Sequence, residues 1–238
     1  MRLENFDLDY ALKQFPDVLK AVPMTLLVAT VSLLLGFVFG LLISLCRTYK
    51  VPVLSQLGAL YVSFIRGTPM LVQIYVIFFG TPMLIDYLNK QFGWGLNPYG
   101  ISPLVYALLA FTVNTSAYQS ETIRSALQST EAGQMEAALS IGMTVRQALF
   151  RIIAPQAFLI ALPVYGNLFI GLIKGTSLAF AVKVIEIMAT TRIIAGGDYR
   201  FLEMYIDAAI VYWVLCFLVE RLFVLLEKRF SRHEKVMP

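Results

Sequence analysis

Charge is what this chain is short of. Only 14% of its 238 residues are Asp, Glu, Lys or Arg, while 58% are hydrophobic. A typical soluble domain carries about 25% charged residues. Mean hydropathy is correspondingly high, at +0.73. This imbalance excludes a disordered chain and nearly all soluble enzymes, and it points to lipid as the solvent. Histidine is almost missing: His233 is the single one and lies in the basic tail. No His-based catalytic dyad or triad is therefore supported. The two cysteines, Cys46 and Cys216, lie in apolar stretches far apart. They form neither a disulfide framework nor a metal-ligand spacing, and they read as small apolar packing residues. The glycine loop that cradles phosphates is missing too. Its nearest lookalike, Gly171-Leu172-Ile173-Lys174-Gly175-Thr176, has the wrong spacing and sits in an apolar run. No cofactor or metal is expected on this chain. The net charge of +4 suggests loop cations that set membrane topology, not a nucleic-acid partner.

What is present is length in apolar runs. A bilayer core takes about 20 apolar residues per helix, and runs of that order fall at residues 22–46, 53–84, 102–123, 154–181 and 204–226. The first is too deep in the chain and too long for a signal-peptide core. The expectation is an all-α membrane protein with five transmembrane helices. A six-span count, splitting the second run at Pro69, stands as the alternative. Short segments bearing Arg47 and Lys50, and Lys228 to Lys235, place their ends in the cytoplasm. That gives an extracytoplasmic or interfacial segment at 1–20, a membrane domain at 21–228 and a basic cytoplasmic tail at 229–238. Within the first segment Phe6, Tyr10, Phe15, Val18 and Leu19 alternate with charges. This fits a helix lying on the membrane surface, or an ordinary polar leader. Trp94, near Tyr99 and Tyr106, reads as an interfacial aromatic, and mid-span Trp213 as packing.

Between the third and fourth runs, about residues 129–155, the chemistry turns polar. Ser129 or Thr130 is placed to cap a helix, with Glu131 in its first turn. Gly142 is a natural helix end. A second short helix is expected from near Thr144 to Pro155. Small residues at Ala132, Ala137 and Ala138 would let another backbone approach closely. By composition alone this is an amphipathic connector.

The run Glu136-Ala137-Ala138, three residues, Gly142, nine residues, Ile152, one residue, Ala154-Pro155 resembles the EAA loop of bacterial ABC importer permeases. That pattern has leucine where this chain has Ala154. Three further stretches are similar to the polar amino acid branch of the family (the histidine, glutamine, arginine and cystine type). They are Arg66-Gly67-Thr68-Pro69 with Leu71 and Gln73, Ala117-Tyr118-Gln119-Ser120-Glu121, and Lys174-Gly175-Thr176-Ser177-Leu178. The resemblance spans about residues 16–230. It implies a type I ABC importer transmembrane domain with a cytoplasmic coupling helix. The ATPase contact would then lie at Glu131, Ala132, Glu136, Ala137, Ala138 and Gly142, with Glu136 a polar contact and Gly142 the joint between two helices. It further implies two ATP-binding cassette ATPase subunits carrying the ATP and magnesium, a second permease copy (identical or paralogous) and an extracytoplasmic substrate-binding protein. This chain would be a translocation subunit, not an enzyme. Its expected cargo is a polar amino acid, cystine first, then glutamine, arginine or histidine. An ion-coupled secondary carrier or channel component is the alternative. That alternative calls for internal repeats and more spans, and neither is seen in the sequence.

Ionisable and polar groups inside spans are costly, and each is a functional candidate by default. The candidates for a substrate pathway are Arg66, Thr68, Gln73, Asn114, Thr115, Tyr118, Glu121, Lys174, Thr176 and Ser177. If the helices break at Pro69 and near Gly175, their ends can meet a zwitterion. Thr176 and Ser177 would then offer hydroxyls and N–H groups to a carboxylate, and Arg66 or Lys174 would add positive charge. Glu121 or Asp207 would face an ammonium. Two plainer readings stand beside these: Glu121 pairs with Arg124 on one helix face, and Arg66 braces the inner end of the pathway.

Overall fold

The computed structural model describes residues 6–130 and 132–231, so Glu131, the first five residues and positions 232–238 lie outside the described residues. All regular structure among the described residues is helical: α1 Leu8–Leu19, α2 Val22–Thr48, α3 Leu54–Gly67, α4 Met70–Phe92, α5 Pro103–Ser129, α6 Ala132–Ser140, α7 Val145–Ala148, α8 Ala154–Gly175, α9 Ile187–Asp198 and α10 Phe201–Ser231. Four stretches are long and apolar enough to cross a membrane: Val22–Thr48, Met70–Phe92, Val145–Val182 and Phe201–Phe230. The expected run at 102–123 falls in α5. That helix has 27 residues, about 40 Å at 1.5 Å per residue, and it is more polar because protein covers it. Ala107, Ala110, Phe111, Ala117, Gln119 and Ser120 are wholly buried along it.

α5 is the hub. It packs most extensively on α2, and α3, α4 and α8 also lie against it. Glycine permits the α2 contact. A Cβ at Gly40 would sit 2.9 Å from the Ser116 carbonyl oxygen, and one at Gly36 2.8 Å from Gln119 Nε2. Small residues of this kind let helix backbones approach where the hydrophobic effect gives no drive. Gln119 Nε2 uses the approach to donate to the Leu33 carbonyl at 2.9 Å. Around this pair Val28, Ile74, Phe111 and Ile173 form the largest buried apolar cluster.

The expected second run is two helices. Thr68 and Pro69 are extended between α3 and α4, and α3, at 14 residues, reaches about 21 Å, too short to cross alone. The expected break near Gly175 takes a different form. After α8 the chain tightens into a 3-10 turn, Thr176–Val182, and the Thr176 N–H still bonds carbonyls of the last α8 turn. The backbone there stays helical and presents no freed N–H groups. α9 was not foreseen. Its N-terminus is held by Glu186, which is fully buried and accepts from the N–H groups of Met188 and Ala189 at 2.9 and 2.8 Å and from the Tyr212 hydroxyl at 2.7 Å. The amphipathic leader is helical, as α1. It is docked on protein: Val18 is fully buried with Ile187, Met204 and Val211, and the Tyr10 hydroxyl donates to Asp198 at 2.7 Å. Trp213 packs on an aromatic neighbour, but outside the core. It is 69% exposed and stacks on Phe217 along the outward face of α10.

Gly142 ends α6 as expected, at φ +85°. The N–H groups of Met143 and Gly142 return to the Ala138 and Leu139 carbonyls, a glycine-terminated helix stop. Thr144 then caps α7 in a reciprocal pair with Gln147. The second short helix does not stand apart: α7 passes through a π-helical stretch, Leu149–Ile153, straight into α8. Nor do Ser129 and Thr130 direct their hydroxyls forward. They donate back to the Ala126 and Leu127 carbonyls and finish α5.

Candidate functional site

The break between α3 and α4 builds the site. Pro69 has no N–H to give the Ile65 carbonyl. The buried Gln73 amide supplies the missing donor, with Nε2 at 2.7 Å from the Ile65 oxygen, 3.1 Å from the Thr68 carbonyl and 2.8 Å from the Thr68 hydroxyl. Its own oxygen accepts from Asn114 Nδ2 at 2.9 Å. Gln73 and Thr68 therefore hold the break in shape, and Asn114 is fixed by them. Beside this brace opens a cleft of about 300 Å³ lined by Met70, Asn114, Thr115, Tyr118, Val164, Asn167, Leu168, Gly171, Leu172 and Gly175. Arg66 stands at its rim, its guanidinium carbon 5.5 Å from the centre of the Tyr118 ring. The cleft wall is mainly apolar, with the Asn114 and Asn167 amides and the Tyr118 phenol among its polar groups, and no carboxylate is among its lining residues. Asn167 was missed in the sequence. An amide inside the apolar run of α8 was the available signal.

The remaining candidates lie elsewhere. Glu121 is held between Arg47 and Arg124, with Arg124 Nη2 at 2.8 Å and Arg47 closer still. The plainer pairing read from the sequence is present, with a second arginine that reads in the sequence as loop charge. Lys174 is exposed and does not line the cleft. Thr176 is buried and its hydroxyl donates to the Ile173 carbonyl at 2.7 Å. Ser177 donates to the Lys174 carbonyl at 2.8 Å and lines a different pocket. Asp207 is buried in α10 and one of its oxygens has no partner.

At the other end of α8, α6 stands out as a short knob. Ala138 is buried and anchors it, Gln156 Nε2 donates to Gln134 Oε1 at 2.6 Å, and Glu136 and Ala137 face outward. Ile141, beside Gly142, is 78% exposed. Glu131 is not among the described residues.

Residues 33–232 match the model of the family described as binding-protein-dependent transport system inner membrane component. The chain belongs to that family. Within the transport-component family it is similar to the probable amino-acid permease protein YxeN of Bacillus subtilis, at 39% identity over 97% of this chain and 98% of that one. It is 36% identical to the L-cystine transport system permease protein TcyL of the same organism, over 96% of this chain and 93% of that one. It also resembles a solved chain described as belonging to an amino acid ABC transporter with histidines. There the TM-score is 0.81, with 32% identity over 94% of this chain and 99% of the other.

Proposed function

We propose that this chain is the membrane-spanning subunit of an ATP-driven importer for a polar amino acid, cystine first, with glutamine, arginine and histidine as further candidates. The observation that carries this reading is the pairing, in one chain, of an amide-bearing cleft at a broken helix with a small-residue knob at the end of α8. α5 serves as the fifth span, its polarity tolerated because α2, α3, α4 and α8 cover it. The N-terminus lies outside and the basic tail in the cytoplasm. α6 is the coupling helix. Glu136, Ala137 and Ala138, with Glu131 and Ala132 before them, seat in a cleft of an ATPase subunit, and Gly142 is the joint. ATP and magnesium reside on two such ATPases. A second permease copy completes the pathway, since so few spans enclose none alone, and an extracytoplasmic binding protein delivers the cargo.

The mechanism follows from the parts. α6 is joined at Gly142 to α7, which runs through the π-helical stretch into α8, and the Gln156–Gln134 bond ties α6 to the base of α8, so displacement of the knob moves the wall of the cleft that carries Asn167 and Leu168. ATP binding would bring the two knobs together and open the cleft outward. Hydrolysis would return it to the inward state. Inside the cleft the Asn114, Thr115 and Asn167 groups orient a polar cargo, and Arg66 at the rim attracts its carboxylate. Rebuilding the permease, ATPase and binding protein in vesicles tests this. Uptake of one amino acid of the set should require both ATP and the binding protein. Uptake without ATP, driven by an ion gradient, would replace this reading with the secondary-carrier one.

A further inference from the structure

A second pocket lies where α4 packs against the Thr176–Val182 turn, next to the cleft. Its volume is about 430 Å³, and Tyr75, Ser177, Phe180, Met188, Arg192 and Tyr205 are among its walls. The two spaces are divided where Met70 meets Gly175: a Cβ built on that glycine would touch Met70 Sδ and Phe111 Cε1, each at 3.9 Å. Met70 and Gly175 line the cleft, while their near neighbours Leu71 and Ser177 line the second pocket.

The charge in this second pocket is uncommitted. Arg192 lays its guanidinium 4.4 Å from the centre of the Phe180 ring, which fixes the plane of the group and leaves its N–H edge free. The carboxylates at both ends of its own helix are spent elsewhere. Glu186 serves the α9 N-terminus and Tyr212, and Asp198 accepts from Tyr10. Among the described residues Arg192 has no ion-pair partner, and the Tyr75 and Tyr205 hydroxyls have no hydrogen-bond partner. A planar cation that shares one largely apolar pocket with two phenols is a donor set for a carboxylate.

We propose that this pocket is a second substrate site, which holds the α-carboxylate of the amino acid on Arg192 and the two tyrosines before the cargo passes Met70 and Gly175 into the cleft. The site rests on the reading that the cargo is an amino acid. Its test reads binding alone, so it does not depend on whether the assembly pumps. The permease–ATPase complex is placed in phosphatidylcholine nanodiscs, where both faces are open to solution. Trp94 and Trp213 are replaced by Phe, and Met188→Trp serves as reporter, with Leu178→Trp as a second in case the first perturbs folding. L-cystine, L-glutamine, L-arginine and L-histidine are titrated, together with cystamine, 4-aminobutanamide, agmatine and histamine, their counterparts that lack the carboxylate.

The expected result is a saturable emission change with at least one of the amino acids and none with its carboxylate-free counterpart. Arg192→Gln should weaken that binding about tenfold, as loss of a charge-assisted hydrogen bond does, and Arg192→Lys should weaken it less. Asn114→Leu, in the cleft, should leave the midpoint of this reporter unchanged. An equal response to amino acid and amine, an unchanged midpoint in Arg192→Gln, or no response to any of the four overturns the proposal. ATP-independent uptake alongside intact binding would instead count against the function proposed above and leave this site standing.

Discussion

Replacing Gln73 by leucine should unfasten the break between α3 and α4. The substitution keeps the volume of a residue that is 6% exposed and removes every polar atom of its side chain. The Ile65 carbonyl then keeps only a long bond from the Thr68 hydroxyl at 3.5 Å, because Pro69 cannot supply a donor, and the Asn114 amide loses its acceptor. In water-soluble proteins an orphaned buried group costs about 1–3 kcal/mol. Side-chain hydrogen bonds measured inside membrane proteins average about 0.6 kcal/mol. Two weakened or orphaned groups therefore give an expected loss of about 1–6 kcal/mol, between the membrane and the water-soluble figures. Thr68→Val is the graded control. It removes one hydroxyl that donates to the Phe64 carbonyl at 3.0 Å and accepts from Gln73 Nε2 at 2.8 Å while leaving the Gln73–Ile65 bond in place, and about 0.5–1.5 kcal/mol is expected. Equilibrium unfolding of the chain in mixed micelles, followed by far-UV circular dichroism, measures both. A Gln73→Leu variant within about 0.5 kcal/mol of the parent, a change typical of a neutral surface substitution, would refute the assignment of Gln73 as a brace.

Three further outcomes are expected. Gly40→Leu should separate α2 from α5, since even a Cβ there meets the Ser116 carbonyl oxygen at 2.9 Å; a loss of about 1–3 kcal/mol or more should appear in the same unfolding assay. Gly142→Ala meets no neighbouring atom within 4 Å, but it puts a side chain at φ +85°, so about 1 kcal/mol of backbone strain should loosen the α6–α7 joint, seen as faster amide exchange in α6. Partial burial and the Asp198 carboxylate beside it push the Tyr10 hydroxyl up to about 12. The folded state therefore holds this proton more tightly than the unfolded chain does. The stabilisation is full below the ordinary tyrosine range and is lost as pH rises towards the raised value. The difference between spectrophotometric titrations of the parent and of Tyr10→Phe should be one phenol that titrates late.

Much of this was readable in the sequence, for identifiable reasons. Helical runs, the proline break and the glycine stop at Gly142 are local effects, dictated by residues within a few positions of one another. The pairing of Glu121 with Arg124 is local in the same way. What escaped is what depends on partners far along the chain. Gln73 and Thr68 read as pathway residues because a polar group in a span invites a functional reading. Only the fold shows that the Ile65 carbonyl needs Gln73. Arg47 read as a topology signal because its partner, Glu121, lies 74 residues away. α9 was hidden by weak apolar periodicity, and its anchor is a buried acid that sequence arithmetic counts as surface charge. Thr176 and Ser177 failed as helix-end donors because the chain took a 3-10 turn instead of breaking, and their hydroxyls were used on the preceding carbonyls.

The central claim is that α6 carries work from an ATPase into the cleft. The direct test replaces α6, Ala132–Ser140, by a Gly/Ser segment of equal length in the vesicle-reconstituted complex with its ATPase and binding protein, and measures amino acid uptake. The account predicts that ATP-driven uptake falls to background while the membrane helices remain folded by circular dichroism. Uptake that persists at the parent rate would contradict it.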